Sequence, residues 1–379
     1  MDKNIIYLDN AATTFVAPEV VDVVSDALKN LPFNPSSVYM PSVEVYNVME
    51  KARLTLLSIL GLEDGNLIFT GSATEANNTA LLKIKARNSF TALIGSTEHP
   101  AVYEMAEKLK AAGADIKYIP VDSFGRIKED EYIELLENNP VRFVSIMHVN
   151  NENGVINDIA RLCAIAKEKD KRIIFHSDGV QAFGKFYYNL DEMGVDMYTI
   201  CSHKINGPKG IGALCFKKNI SIEPLIVGGG QENNLRSGTE NLPYICGFVK
   251  AAQLKVSDNA RKYKDVQMLK YEFLHCLKAR NIDFELYSDD TNSVPHIILI
   301  RFKGVRGEVL LHALEKYKIY ISTGSACSSK KKTNRVLDAM GKSFEESQEV
   351  VRISFGNDNY DVNYIADCFA NEIKNLKVR

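Results

Sequence analysis

Seven short apolar runs, at 66–70, 91–95, 116–119, 142–148, 172–176, 197–201 and 211–216, recur through the middle of this chain. Most are separated by stretches of helical periodicity or by turn residues. Apolar runs this short, bounded by turns, read as strands buried on both faces. Strands that alternate with helices build a mostly parallel sheet covered on both sides, so the expected fold class is α/β. Ahead of the runs, Val20, Val24, Ala27 and Leu31 share one helical face behind Pro18. A second face, drawn by Val45, Val48, Ala52, Leu56 and Ile59, ends near Gly61.

The pattern changes near residue 256. Residues 258–280 read as one long helix bridging two bodies. Beyond it come an apolar strand at 296–302, a helix at 307–317 and a short strand at 319–322. A Lys/Ser-rich loop, a further helix, another strand at 350–355 and a closing helix complete an α+β unit of roughly 120 residues, which is domain-sized. The expected division is a large domain at 15–256 and a smaller one made of 1–14 and 257–379. A chain of 379 residues agrees with two or three domains at about 150 residues each.

Charge and cysteine usage remove several function classes. The 46 Lys and Arg against 48 Asp and Glu leave a net charge of −2, with no basic footprint for nucleic acid and no polybasic membrane anchor. No run of about 18 apolar residues exists to span a membrane. The opening MDKNIIYLDNAATT has an acidic second residue and does not read as a signal peptide. Seven cysteines, an odd number without a C-x-x-C pair, argue against a disulfide framework and against a zinc ribbon, and no metal site is expected. A reducing, cytoplasmic compartment is the expectation. Six of the cysteines sit among apolar or helical neighbours and read as small buried hydrophobes. Cys327 is the exception.

Polar residues gather where the strand patterns stop. Thr70-Gly71-Ser72-Ala73-Thr74-Glu75 follows one strand and opens a helix; Glu98-His99 follows another. His148, Asn150 and Asn151 close a third, His176, Asp178 and Gln181 a fourth, and Ser202, His203 and Lys204 a fifth. Ligands of open α/β sheets bind outside the carboxyl ends of the strands, so five such clusters predict one cleft. Ser72 and Glu75 make a capping box, and the exposed amides of that helix start would also cradle a phosphate. Lys204, held in the tight Ser202–Pro208 turn, and Asp178 then complete what pyridoxal phosphate requires. These are a lysine for covalent attachment, an acid for the pyridine nitrogen and a helix N-terminus for the phosphate, with His99 available to stack on the ring. An Asp178–Lys204 ion pair and a His176/Asp178 metal pair are the competing readings, the second lacking a third ligand.

Two further features stand apart. Ser322-Thr323-Gly324-Ser325-Ala326-Cys327-Ser328-Ser329 is a small-residue segment, and Lys330, Lys331 and Lys332 after it favour the Cys327 thiolate. An exposed thiol in that setting reads as a nucleophile. Arg352 lies inside the apolar run 350–355 and requires a partner, either a substrate carboxylate or a structural acid. The glycine-rich stretches at 228–232 and 235–241 read equally as a phosphate-facing loop or a subunit contact.

Taken in order, YLDNAATT (7–14), NPSS (34–37), ATEANN (73–78), EHPAV (98–102), SIMHVNNENG (145–154), HSDGVQAFGK (176–185), SHKINGPKGIGAL (202–214), GGGQE (228–232), LRSGTEN (235–241), STGSACSS (322–329) and VRISFG (351–356) resemble the motif series of the cysteine desulfurases. These belong to the class V aminotransferase group. The resemblance covers nearly the whole chain and implies a fold type I pyridoxal-phosphate enzyme, with a seven-stranded sheet in its large domain. It implies that Lys204 carries the cofactor and shuttles the Cα proton, that Asp178 pairs with the pyridine nitrogen and Gln181 with the phenolic oxygen, and that His99 stacks on the ring. Ala73, Thr74, Ser202 and His203 would hold the phosphate, joined by Thr239 from a partner subunit of a homodimer. Asn151 would contact cofactor or substrate, and Arg352 with Asn34 would hold the carboxylate of L-cysteine. Cys327 would take the substrate sulfur as a persulfide, release alanine, and pass the sulfur to an iron–sulfur scaffold protein or a tRNA-thiolation enzyme. A selenocysteine or cysteine lyase on the same scaffold, and a scaffold without turnover, are the alternatives.

Overall fold

The computed structural model describes residues 5–85, 89–324, 334–356 and 359–377. Its strands in chain order are β1 (Ile6–Tyr7), β2 (Gly65–Thr70), β3 (Thr91–Gly95), β4 (Asp115–Ile119), β5 (Val141–Ser145), β6 (Ile174–Asp178), β7 (Met197–Cys201), β8 (Gly212–Lys217), β9 (Glu285–Leu286), β10 (Ile297–Arg301), β11 (Ile319–Tyr320) and β12 (Val350–Ser354). The seven apolar runs become β2 to β8, joined in the order β2-β8-β7-β6-β5-β3-β4. Neighbours from β7 to β4 pair in parallel, and β8 runs antiparallel to both β7 and β2. The sheet is therefore mostly parallel, as expected.

Both of its faces are buried. Along β3, Leu93 points into a core shared with Val144, Phe175 and Ile200 and with the helices Met40–Leu60 and Leu242–Val256. Its neighbours Ala92 and Ile94 enter a second core, with Phe143, Met197, Leu214 and the helices Ala73–Leu81 and Pro100–Ala111. Successive strand side chains alternate between faces, so a strand with continuous apolar sequence can serve two cores at once.

Two strand boundaries differ from the periodicity. The run at 142–148 stops as a strand at Ser145, and the run at 172–176 continues to Asp178. Two of the three polar residues of β6, His176 and Asp178, are paired through their side chains. His176 lies between Ser145 Oγ (2.9 Å) and Thr199 Oγ1 (3.1 Å), and Asn77 Nδ2 donates to Asp178 Oδ2 (2.7 Å). The long helix expected over 258–280 is Asn259–Ala279, separated from Leu242–Val256 by a break in which Asp258 has φ +71°.

A three-stranded antiparallel sheet, β12-β10-β9, builds a third core. Ile298, Ile300, Val351 and Ile353 pack there against Phe273 and Phe369 of the helices Asn259–Ala279 and Val362–Lys377. The N-terminal segment joins the same core. β1 pairs in parallel with β11, Asp9 bridges Ser354, and Leu8 is fully buried. Residues 10–14 then cross toward the large sheet, where the Thr14 hydroxyl donates to the His203 carbonyl (2.9 Å).

The glycine-rich stretch is anchored by a buried ion pair. Arg53 Nη1 donates to Glu232 Oε2 (2.8 Å), and the Phe69 amide of β2 donates to the same oxygen (3.1 Å). Removing one partner of a buried pair leaves the other charge without solvent or counter-ion. Glu232→Ala is expected to lower the unfolding free energy by about 3 kcal/mol, as measured by urea denaturation.

Candidate active site

The carboxyl ends of β2, β3, β5, β6 and β7 share one edge of the sheet, and a cavity of about 370 Å3 lies there. Each expected cluster contributes to its wall: Ser72, Ala73 and Thr74 after β2, His99 after β3, Asn151 after β5, Asp178 and Gln181 from β6 onward, and His203 and Lys204 after β7. Ala11 and Ala12 of the N-terminal segment, Gly324, and Arg352 of β12 close it from the other side.

Lys204 is tethered by backbone. Its Nζ donates to the carbonyls of Ala11 (2.5 Å) and Ala12 (2.6 Å), and no ion pair joins it to Asp178 among the described residues. Burial pushes its ammonium down to about 8, because the charged form loses solvation in the cavity wall. A lysine in that range supplies a substantial fraction of free amine at neutral pH, which covalent capture of a carbonyl needs.

Asp178 is 4% exposed, and both carboxylate oxygens are engaged. Oδ2 accepts from Asn77 Nδ2, and Oδ1 accepts from the Val180 amide (3.0 Å). His99 caps the helix Pro100–Ala111, with Nδ1 accepting from the Ala101 amide (3.1 Å). That bond leaves the proton of the neutral ring on Nε2. Burial lowers the His99 pKa below the usual histidine value, which favours the neutral ring. Gln181 Nε2 donates to the Ala11 carbonyl (2.9 Å), so the carbonyl that tethers Lys204 also orients this amide. His203 Nδ1 faces Thr13 Oγ1 (3.1 Å), and burial pulls its pKa down to about 4.

The helix Ala73–Leu81 points its start at the cavity. Its first intrahelical bond runs from the Ala76 amide to the Ser72 carbonyl, so the amides of Ala73 and Thr74 precede the ladder. Gly212 of β8 permits this placement, since a Cβ there would come within 2.8 Å of the Ala73 nitrogen. The capping box forms in part. Ser72 Oγ accepts from the Glu75 amide, but the Glu75 carboxylate turns to the Gly71 amide (2.8 Å) and to Arg236 Nε (2.9 Å).

Several expected residues lie elsewhere. Asn34 is exposed and accepts from the Ser36 amide (2.8 Å), off the cavity wall. The Ser202 hydroxyl is buried without a hydrogen-bond partner among the described residues, packed where Gly207 leaves room for it. Thr239 is exposed and lines a different cavity, of about 230 Å3, with Gly71 and Arg236. Arg352 does reach the cavity, but Nη2 donates to Asp9 Oδ1 (2.7 Å) and Nη1 to the Asn151 carbonyl (3.0 Å), so a structural acid already holds part of the guanidinium. His148 sits among Phe186, Tyr188 and Tyr198, with Nδ1 2.8 Å from the Tyr198 hydroxyl. Glu98 is buried beside His99; desolvation first, then the charge of Asp178, raises its carboxyl well above the usual range. Cys327 and Lys330–Lys332 lie outside the described residues. The segment's two roots are placed: Gly324 on the cavity wall, and Asn334, whose Nδ2 donates to Glu152 Oε2 (2.8 Å). Arg335 follows, donating to the Ser96 and Glu98 carbonyls with its guanidinium 4.1 Å over the Tyr103 ring.

A buried lysine, an engaged carboxylate, a neutral histidine and a helix N-terminus around one cavity narrow the family, and sequence comparison decides it. The class-V aminotransferase profile matches residues 6–363. The chain belongs to the class-V aminotransferase family. It is 37% identical to a cysteine desulfurase, IscS, of Dictyoglomus turgidum, over 99% of this chain and 96% of that one. A NifS-like protein of known structure superposes with a TM-score of 0.89 at 33% identity, covering 98% of this chain and 99% of the other. A structure described as SspA in complex with cysteine superposes with a TM-score of 0.78 at 28% identity, covering 94% and 100%. Fold type I pyridoxal-phosphate architecture follows from this membership, and the class-V enzymes depend on that cofactor.

The residues present fit a class-V cofactor. The cavity joins a depressed lysine, a carboxylate at the sheet edge and two amides ahead of a helix ladder, which match an aldehyde, a ring nitrogen and a phosphate. Asn77, Ala11, Ala12 and Asp9 are site residues that chemistry-bearing patterns overlook. Asn77 is marked only by standing four residues after Ala73, on the helix face above β6. The alanines act through carbonyls, which no side-chain pattern reveals. Among the described residues no cluster of three His, Cys, Asp or Glu could hold a metal, and no helix is long and apolar enough to cross a membrane.

Proposed function

We propose that this chain is a pyridoxal-phosphate-dependent L-cysteine desulfurase, converting L-cysteine to L-alanine and placing the sulfur on Cys327 as a persulfide. The observation that carries the reading is the position of Gly324 on the wall of the Lys204 cavity. Cys327 is three residues further on, so its Cα stays within about 11 Å of Gly324's, close enough to serve a substrate beside Lys204. When bound, the cofactor supplies an electron sink that lets a carbon–sulfur bond break.

The chain's own residues do the rest. Lys204 Nζ, steered by the Ala11 and Ala12 carbonyls, takes and returns the proton at the substrate Cα. Asp178, fixed by Asn77 and the Val180 amide, would hold the pyridine nitrogen, and Gln181 would serve the phenolic oxygen. His99 would stack on the ring as a neutral imidazole. Ala73, Thr74 and His203 would hold the phosphate, with the Ser202 hydroxyl at the root of the same turn. Arg352 receives the substrate carboxylate on its cavity side while Asp9 steadies Nη2, and Asn151 lines the same wall. Asn34 joins that carboxylate only by moving inward. The Cys327 thiolate attacks the substrate sulfur; the S–S bond forms as the C–S bond breaks, and its electron pair stays with the carbon skeleton, which is protonated to alanine.

The other thiols suit this assignment. Cys163, Cys201, Cys215, Cys276 and Cys368 are buried and Cys246 is half-buried. Burial raises Cys163 to about 11 and Cys201 to about 12, so neither offers a thiolate at neutral pH.

The working form we propose is a homodimer in the cytoplasm, with the two bodies 15–256 and 1–14 plus 257–379 in each subunit. Val38 is 96% exposed, Met40 72% and Leu28 62%, at or beside the first two helices, an apolar surface that a second copy would cover. Thr239, exposed and off its own chain's cavity, would then serve the partner's phosphate. The persulfide sulfur passes to an iron–sulfur scaffold protein or a tRNA-thiolation enzyme.

Alanine formation from L-cysteine, dependent on added pyridoxal phosphate, tests the reading; cofactor-loaded protein that releases no alanine would refute it. Asn77→Ala removes one of the two donors to Asp178. A lost bond to a buried charged group is worth about 1–3 kcal/mol, so cofactor retention should weaken about tenfold in a spectral titration.

A further inference from the structure

Ser354 closes β12 between Ile353 and Phe355 and is fully buried. A hydroxyl in such surroundings costs stability unless it is hydrogen-bonded. Its Oγ accepts from the Ala11 amide (2.9 Å) and donates to the Leu8 carbonyl (3.3 Å), so one side chain grips the 8–11 segment at two points. The backbones bond there as well: the Ser354 amide donates to the Leu8 carbonyl (2.7 Å), and the Asn10 amide to the Ser354 carbonyl (3.3 Å). Arg352 stands two residues earlier on the same face of β12, where it holds Asp9. Ala11 then meets the active site. Its carbonyl accepts from both Lys204 Nζ (2.5 Å) and Gln181 Nε2 (2.9 Å). A carbonyl oxygen has two lone pairs, and both are used. One backbone oxygen therefore sets where the lysine amine and the glutamine amide sit relative to each other.

We propose that Ser354 is a positioning residue for Lys204 and Gln181, acting through Ala11, whose carbonyl both side chains share. The inference rests on Lys204 being the cofactor lysine of the desulfurase reading. Ser354 itself is off the cavity wall and touches neither cofactor nor substrate. Without its hydroxyl the Ala11 amide loses its acceptor, and a buried amide left unpaired turns toward another partner. The Ala11 carbonyl then leaves Lys204, whose charged form keeps one acceptor of two and is less well stabilised. Cys201, Arg352, Asp9, Asp178, His99 and His203 also bear on that ammonium, and none of them is substituted.

The test is the pH dependence of Lys204 acetylation by acetic anhydride in the apoprotein, read by mass spectrometry. The midpoint should lie at about 8 in the wild type and fall by about one unit in Ser354→Ala. Threonine and valine branch alike and differ by the hydroxyl, so Ser354→Thr should keep the wild-type midpoint and Ser354→Val should follow Ser354→Ala. A midpoint unmoved in Ser354→Ala, one that rises toward the ordinary lysine value as water enters a loosened segment, or equal shifts in the threonine and valine variants would each overturn the proposal. So would an Ala11 amide that exchanges freely with solvent in the wild type, a measurement that needs no variant to fold. Neither readout involves alanine formation, so a failed desulfurase reading and a failed role for Ser354 are told apart.

Discussion

Cys327→Ser is expected to keep the cofactor, and the spectral change on adding L-cysteine, while losing persulfide and alanine formation to background. Serine preserves the size and polarity of the side chain, so the cavity that binds cofactor and substrate is untouched. What it removes is a soft nucleophile that ionises far more readily than a hydroxyl. The three lysines at 330–332 are expected from the sequence to favour the thiolate further. No other thiol can substitute, because five are buried and Cys246 is half-buried. Alanine production by Cys327→Ser at the wild-type rate, followed by quantitative amino-acid analysis, would show that another group accepts the sulfur.

Lys204→Ala is expected to give a protein without the yellow colour of a covalently attached cofactor, and with turnover lower by about 10²–10⁴-fold from the lost proton transfer alone. The fold should survive, since the side chain bonds to two carbonyls and supports no core. The wild type adds a pH signature. Because burial brings Lys204 down to about 8, its amine is largely free above that pH. The rate at which apoprotein captures pyridoxal phosphate should rise with pH and level off above about 8, whereas an ordinary lysine would carry the rise past about 10. Stopped-flow absorbance on the apoprotein reads this directly. A rate still climbing at that higher pH would contradict the desolvated environment assigned to Lys204.

The large sheet is legible in the sequence because its strands are buried on both faces, so each appears as an unbroken apolar run between turns. Strand ends are less legible. β6 carries His176 and Asp178 because Ser145 and Thr199 supply partners to the first and Asn77 to the second. The break at Asp258 is legible as the change of pattern near residue 256, and the long helix begins one residue after the expected 258. At the site, side chains that carry chemistry announce themselves: Lys204, Asp178, His99 and Gln181 do meet at one cavity. Groups that act through backbone or across the fold do not. The Ala11 and Ala12 carbonyls, and the Asp9 carboxylate that takes part of Arg352, come from a segment nearly 200 residues from Lys204 and more than 340 from Arg352. Thr239 illustrates the opposite limit, a residue whose expected role needs a second subunit.

The most direct measurement is a single-turnover experiment on the cofactor-loaded protein with L-cysteine, without reductant or acceptor. The reaction is quenched in acid, alanine is counted, and the cysteine peptides are weighed by mass spectrometry. A desulfurase of this design yields one alanine per active site, with one added sulfur atom on the Cys327 peptide and none on the other six cysteines. Alanine without added sulfur on Cys327, or added sulfur on a different cysteine, would contradict it.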